Sequence, residues 1–191
     1  DNTERYQEVV FNALQDLTND VLDWGKDDSG LAIIIIAEKG GANQDKDLGA
    51  GTSLLRSLIE SPDKHAFIEA PAEENQGNVT LTFSTEANLN ADGTPGEGAS
   101  SWIRFNLNDT EGGLNTEGSR DRPASIGLAH ELTHALINKE GINRTERNYT
   151  ETDPGRGQGR SISTTEFITR FLENFIRHEQ GEPLRILPPR N

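Results

Sequence analysis

The chain has 191 residues, enough for one domain with a closed core. Asp and Glu (32) outnumber Lys and Arg (18), and the formal charge of −14 disfavours phosphate backbones and anionic lipid, so neither nucleic acid nor a membrane is an expected partner. With no cysteine there can be no disulfide, thiolate metal site or thiol nucleophile, and His, Asp and Glu remain as the metal-binding side chains.

Between Thr3 and Trp24 the apolar residues Tyr6, Val9, Val10, Leu14, Leu17, Val21 and Leu22 recur at three and four, which predicts an amphipathic helix over about 3–24. Leu31 to Ala37 is short and β-branched and reads as a central strand covered on both faces. It is far too short to span a bilayer. Ser53 to Glu60 suggests a second helix, and strands are expected at His65 to Glu69, Asn78 to Ser84 and Ser101 to Asn106. The stretches 86–100 and 108–120 are rich in Asn and Gly and read as loops.

Pro123 suits the first turn of a helix and Gly141 its C-terminal cap, so one helix of about five turns should lie between them. After a glycine-rich loop, Thr150 to Gly159, a last helix is expected over Ser163 to Gln180, burying Phe167, Ile168, Phe171, Leu172 and Phe175. Three prolines prevent the tail, 183–191, from continuing it. The whole reads as a single α+β domain, 1–191, with a small mixed sheet, a motif-bearing helix and a C-terminal helix. The absence of methionine and the start at Asp1 suggest a processed product or an excised domain.

The predicted helix between Pro123 and Gly141 carries His130-Glu131-Leu132-Thr133-His134. Residues four apart share a helix face, so both imidazoles can aim at one point about 2 Å from each ring nitrogen. Glu131 can reach a water at that point, where a metallopeptidase needs its general base. A catalytic zinc commonly has three protein ligands and an open position, so a third donor must come from elsewhere. Ile137 and Glu140 exclude a histidine further along the same segment. Glu166, 32 positions after His134 at the start of the last helix, is the favoured third ligand, with Asp153, Glu151 and Glu173 as alternatives.

A blander account of Glu166 places it with Arg170, Glu173 and Arg177 in a solvated ion-pair ladder opposite the phenylalanines. Ser101 to Asn106 is either an edge strand above the cleft, open to an extended substrate, or an ordinary core strand. Tyr149 is a candidate to polarise an oxyanion, with surface packing as its alternative.

Three separated segments resemble the NleD-type effector zinc metallopeptidases: Ile103 to Asn106, Ile126 to Leu136, and Glu173 to Arg177 leading to Gly181-Glu182-Pro183-Leu184-Arg185. They cover about the C-terminal half, in the same order and comparable spacing, although the segment around Thr165-Glu166-Phe167 is shorter than the pattern. The resemblance implies a zincin-like α+β fold and hydrolysis of peptide bonds in a protein substrate, a host signalling protein for some members. It also implies secretion or translocation into a target cell and, for a toxin domain, a cognate immunity protein. The contrasting expectation is a non-catalytic acidic protein-binding domain on a zincin-like scaffold, its zinc structural or absent. An enzyme of cell-wall or housekeeping peptide turnover is a third.

Overall fold

The computed structural model describes residues 2–152 and 159–191. Among these residues it is a mixed α+β structure with four α-helices and small sheets. Helix α1 (Asn2–Gln15) leads into an antiparallel hairpin of β1 (Val21–Lys26) and β2 (Ala32–Glu38), and helix α2 (Gly49–Ile59) follows. Strands β3 (Ala66–Glu69), β4 (Val79–Leu81) and β5 (Ser101–Arg104) form one sheet in the order β3-β5-β4. Helix α3 (Ala124–Lys139), a small hairpin of β6 (Tyr149–Glu151) and β7 (Arg160–Ile162), and helix α4 (Thr164–Gln180) complete the chain. Among the described residues no helix is long and apolar enough to cross a membrane.

The expected helix over 3–24 is cut short at Gln15, and Val21 to Trp24 belong to β1. The break comes from side chains that satisfy backbone better outside a helix. Thr18 Oγ1 accepts from Asp20 N at 3.0 Å, and the Asn19 amide donates to the carbonyls of Asn43 and Lys46, both at 2.9 Å. Strand β2 is likewise no central strand. Among the described residues it pairs with β1 alone, and Ile33 and Ile35 face outward while Ile34 and Ile36 pack on the core.

The core joins α1, α2, the sheet and α3 through Leu14, Leu54, Leu55, Ile103, Ile126 and Leu128. Strand β5 lies in the middle of its sheet, parallel to β3 and antiparallel to β4, with Ile103 fully buried, so Ser101 to Asn106 is a core segment rather than an edge. The two edges of this sheet are β3 and β4.

Helix α3 is enclosed on nearly every side, with each residue from Ile126 to Thr133 buried. Pro123 stands at its N-cap, and Gly141 ends it with φ 65°, a backbone region that glycine enters without strain. In α4 the expected buried stripe is reversed. Thr169, Arg170, Glu173 and Arg177 face inward, whereas Phe171 and Phe175 are 46% and 50% exposed.

Candidate metal centre

Enclosure of α3 holds His130 and His134 one turn apart, their ring centroids separated by 4.9 Å and the planes inclined at 75°. His130 is buried and His134 half-buried. The facing element is the first turn of α4, fixed by Ser163, whose hydroxyl accepts from Glu166 N at 3.0 Å. A side-chain cap of this kind sets where a helix begins, and with it the direction of the residues in its first turn.

Glu166 is thereby brought against both rings. Its Oε2 lies 3.1 Å from His134 Nε2 and 3.5 Å from His130 Nε2. Two donors each about 2.1 Å from a tetrahedral ion are roughly 3.4 Å apart, so these separations suit three ligands sharing one cation. His130, His134 and Glu166 thus form a group that could hold a metal ion, their ligand atoms all within 4.8 Å of one another. Two imidazoles and a carboxylate are also the nitrogen and oxygen donors that suit a borderline divalent ion.

The outward sides of these groups are engaged as well. His130 Nδ1 is 2.8 Å from Glu173 Oε2, and His134 Nδ1 is 3.3 Å from Thr169 Oγ1. With a proton on each Nδ1, both Nε2 lone pairs point at the shared site, the tautomer a metal requires. Arg170 Nε donates to the second oxygen of Glu166 at 2.6 Å and is itself held by Glu151 at 2.8 Å. Glu173 is fully buried, taking Arg177 Nε at 2.6 Å and Arg185 Nη1 at 3.2 Å.

The electrostatics agree with this geometry. Burial disfavours the charged form of His130, but Glu166 and then Glu173 outweigh it and lift its pKa to about 9. Burial would raise the carboxyl of Glu166, yet His130 and His134 hold it well below the usual carboxylate range. Glu173 is lowered for the same reason, its burial overcome by His130, Arg185 and Arg177. A site that retains a proton this firmly has the negative potential that would also attract a cation.

Glu131 is buried beside the group and lines the same cavity of about 390 Å³. Thr80 Oγ1, on β4, stands 2.8 Å from Glu131 Oε2 and 2.9 Å from its backbone carbonyl. One hydroxyl proton serves one of these acceptors at a time, so Thr80 steadies the carboxylate without consuming it. Asn78, Val79 and Thr80 of the β4 segment form one wall of the cavity, and Arg160 to Ser163 form part of another.

The structure therefore brings together His130, Glu131, His134 and Glu166. Of the alternative third donors, Glu151 is occupied by Arg170, Glu173 lies behind His130, and Asp153 falls outside the described residues. The blander ladder of Glu166, Arg170, Glu173 and Arg177 exists as ion pairs, but it faces the protein interior. Tyr149 stacks on Phe167 with centroids 4.0 Å apart, which is the packing role weighed for it. Sequence reasoning missed Thr80 and Thr169, and it treated Glu173 as a rival ligand rather than a partner of His130. The spacing of Glu173, Arg177 and Arg185 was visible, but nothing local says that they meet His130.

No family model matches the chain, and no curated protein or solved structure matches it either.

Proposed function

We propose that this chain is a zinc-dependent endopeptidase on a zincin-like scaffold, hydrolysing peptide bonds in a protein substrate. The observation that carries the reading is the convergence of His130 Nε2, His134 Nε2 and Glu166 Oε2 in a cavity that Glu131 also lines. When bound, the ion would supply Lewis-acid activation of a water molecule and of the peptide carbonyl. Glu131 accepts the proton of the attacking water and returns it to the departing amine. Glu173 and Thr169 hold the two imidazoles in the productive tautomer. The free edge of β4, beside the cavity, offers backbone groups with which an extended substrate can pair.

Three converging donors, rather than four, among the described residues favour an open catalytic position over the closed shell of a structural zinc. That counts against the non-catalytic binding domain. The resemblance to NleD-type effectors supports a protein secreted or translocated into a target cell, acting there on a host signalling protein or, as a toxin domain, held in check by an immunity protein. The segments that carry it include Glu173, Arg177 and Arg185, which meet behind His130.

The test is metal analysis and peptide-library cleavage with zinc-loaded protein. Glu131→Gln should retain about one zinc per chain and lose at least ~10³-fold in turnover, while His134→Ala should lose both. Equal turnover by Glu131→Gln and the parent would sink the mechanism.

A further inference from the structure

Beyond the imidazoles the cleft opens into a second cavity of about 400 Å³ that shares Asn78, His130, Glu131, Arg160 and Glu166 with the first. Five arginines and five carboxylates line it, a local balance in a chain of charge −14. Two of those carboxylates are Glu131 and Glu166, and a divalent ion between the imidazoles would tip this wall positive. Glu151 is already spent on Arg170.

The wall also has surplus donors. Among the described residues every buried side-chain polar atom without a hydrogen-bond partner is an N–H donor, and these include Asn78 Nδ2, Arg122 Nε and Arg185 Nε. All three residues line this cavity, and Arg122 and Arg185 are more than nine-tenths buried. Among the described residues the Arg122 side chain makes two long contacts, both from Nη2 to Asp109 at 3.4 Å. Buried guanidinium groups are rarely left so under-used, because each unpaired N–H has lost its water.

Small residues make room for this arrangement. A Cβ at Gly127 would sit 3.0 Å from Asn78 Nδ2 and 3.3 Å from Arg122 Nε, and one at Gly113 would overlap the Arg185 guanidinium. Glycine at these two places lets the Asn78 amide and the two guanidinium groups pack closely against the backbone.

We infer that this arm of the cleft is a subsite for a carboxylate of the peptide substrate, held by Arg122 and Arg185 with Arg160 at its mouth, next to the bond being cut. The inference rests on the peptidase reading and names the substrate class that reading leaves open. Planar guanidinium groups match a carboxylate with paired N–H donors, and an acceptor-only ligand is what a wall of unpaired donors selects.

The probes are two hydroxamates that differ in one group, succinic monohydroxamate and butyric hydroxamate, titrated calorimetrically into the zinc-loaded full chain. Both should bind through the metal, and the carboxylate compound at least ~10-fold more tightly, against the repulsion of the chain's overall charge. Arg122→Gln should weaken the carboxylate compound alone and shrink its advantage to about twofold. The wild-type comparison decides by itself if that variant does not fold. Equal affinities, or weaker binding of the carboxylate compound, overturn the subsite and leave the metal centre standing; if neither compound binds, both fall. A peptide library then separates the two sources of the carboxylate. Internal cuts beside Asp or Glu, unchanged by C-terminal amidation, assign a side chain. Release of terminal residues that amidation abolishes assigns the chain end, and cleavage indifferent to both refutes the proposal.

Discussion

In α4 the side chains folded inward include Arg170, Glu173 and Arg177 beside Ile176, while Phe171 and Phe175 stand half in water; in β2 isoleucine occupies both faces, and Ile33 and Ile35 lie on the open one. Each element departs from what hydropathy alone predicts, for different reasons. A two-stranded hairpin has one face against the core and nothing on the other, so half of an apolar strand is left out whatever its composition. Helix α4 turns its charged face to the protein because those charges meet His130, His134 and one another. The hairpin tolerates its exposure, whereas the site requires the charged interior of α4, so removing one of those charges should be costly.

The largest effect should come from Glu173→Ala. Removing one member of a buried ion-pair network leaves Arg177 and Arg185 uncompensated, which typically costs about 3–5 kcal/mol. For a chain of this size that is a fall in Tm of roughly 6–20 °C. Zinc affinity should also drop by about 10- to 100-fold, because His130 loses the acceptor that fixes its tautomer. Phe175→Ala, two positions away on the open face, should shift Tm far less and leave zinc affinity alone. Similar losses from both variants, followed by thermal melts and zinc titration, would mean that the inward charges of α4 are not what holds it.

How much of this was legible in the sequence follows from the range of the interactions. The ends of α3, its two histidines and Glu131 are local features, readable from Pro123, Gly141 and a four-residue spacing. Glu166 was reachable because Ser163, three residues before it, marks where α4 begins. Thr80 was not, since it meets Glu131 across 51 positions and its strand is only three residues long. The end of α1 was hidden because Leu17, Val21 and Leu22 continue the helical period by coincidence while Thr18 and Asn19 turn the chain. The orientation of α4 was missed because periodicity locates two faces without saying which one finds better partners.

An intermediate effect is expected at Asp20, the charged residue buried where α1 gives way to the hairpin. Both oxygens take Arg56, each at 2.6 Å, and Gly40 N adds a bond of 2.8 Å. The Arg56 guanidinium, acting against burial, holds this carboxyl below its ordinary value. A depressed carboxyl contributes stability that is fully present above its unfolded pKa of about 3.9 and is lost as pH falls through the folded value. Asp20→Asn should therefore destabilise by about 2 kcal/mol near neutrality and flatten the pH dependence of unfolding below about pH 4. Urea melts across pH would show this, and an unchanged acid limb would remove Asp20 as its source.

The smallest effect belongs to the hairpin's open face. Ile35 lies over Gly25, where a Cβ would come within 2.9 Å of its Cγ2, so some apolar contact survives even on the outer side. Ile33→Thr and Ile35→Thr both keep the β-branched shape that a strand favours, and each exchanges an ethyl branch for a hydroxyl on a residue that is already at least about a third exposed. Each should change stability by no more than about 0.5 kcal/mol, and zinc affinity should be untouched. Ile36→Thr should cost about 1–3 kcal/mol, since the same exchange would place a hydroxyl against the core. Equal penalties at 33, 35 and 36 would show that both faces are covered in solution, and the hairpin would then be a contact surface for a second chain rather than a tolerated exposure.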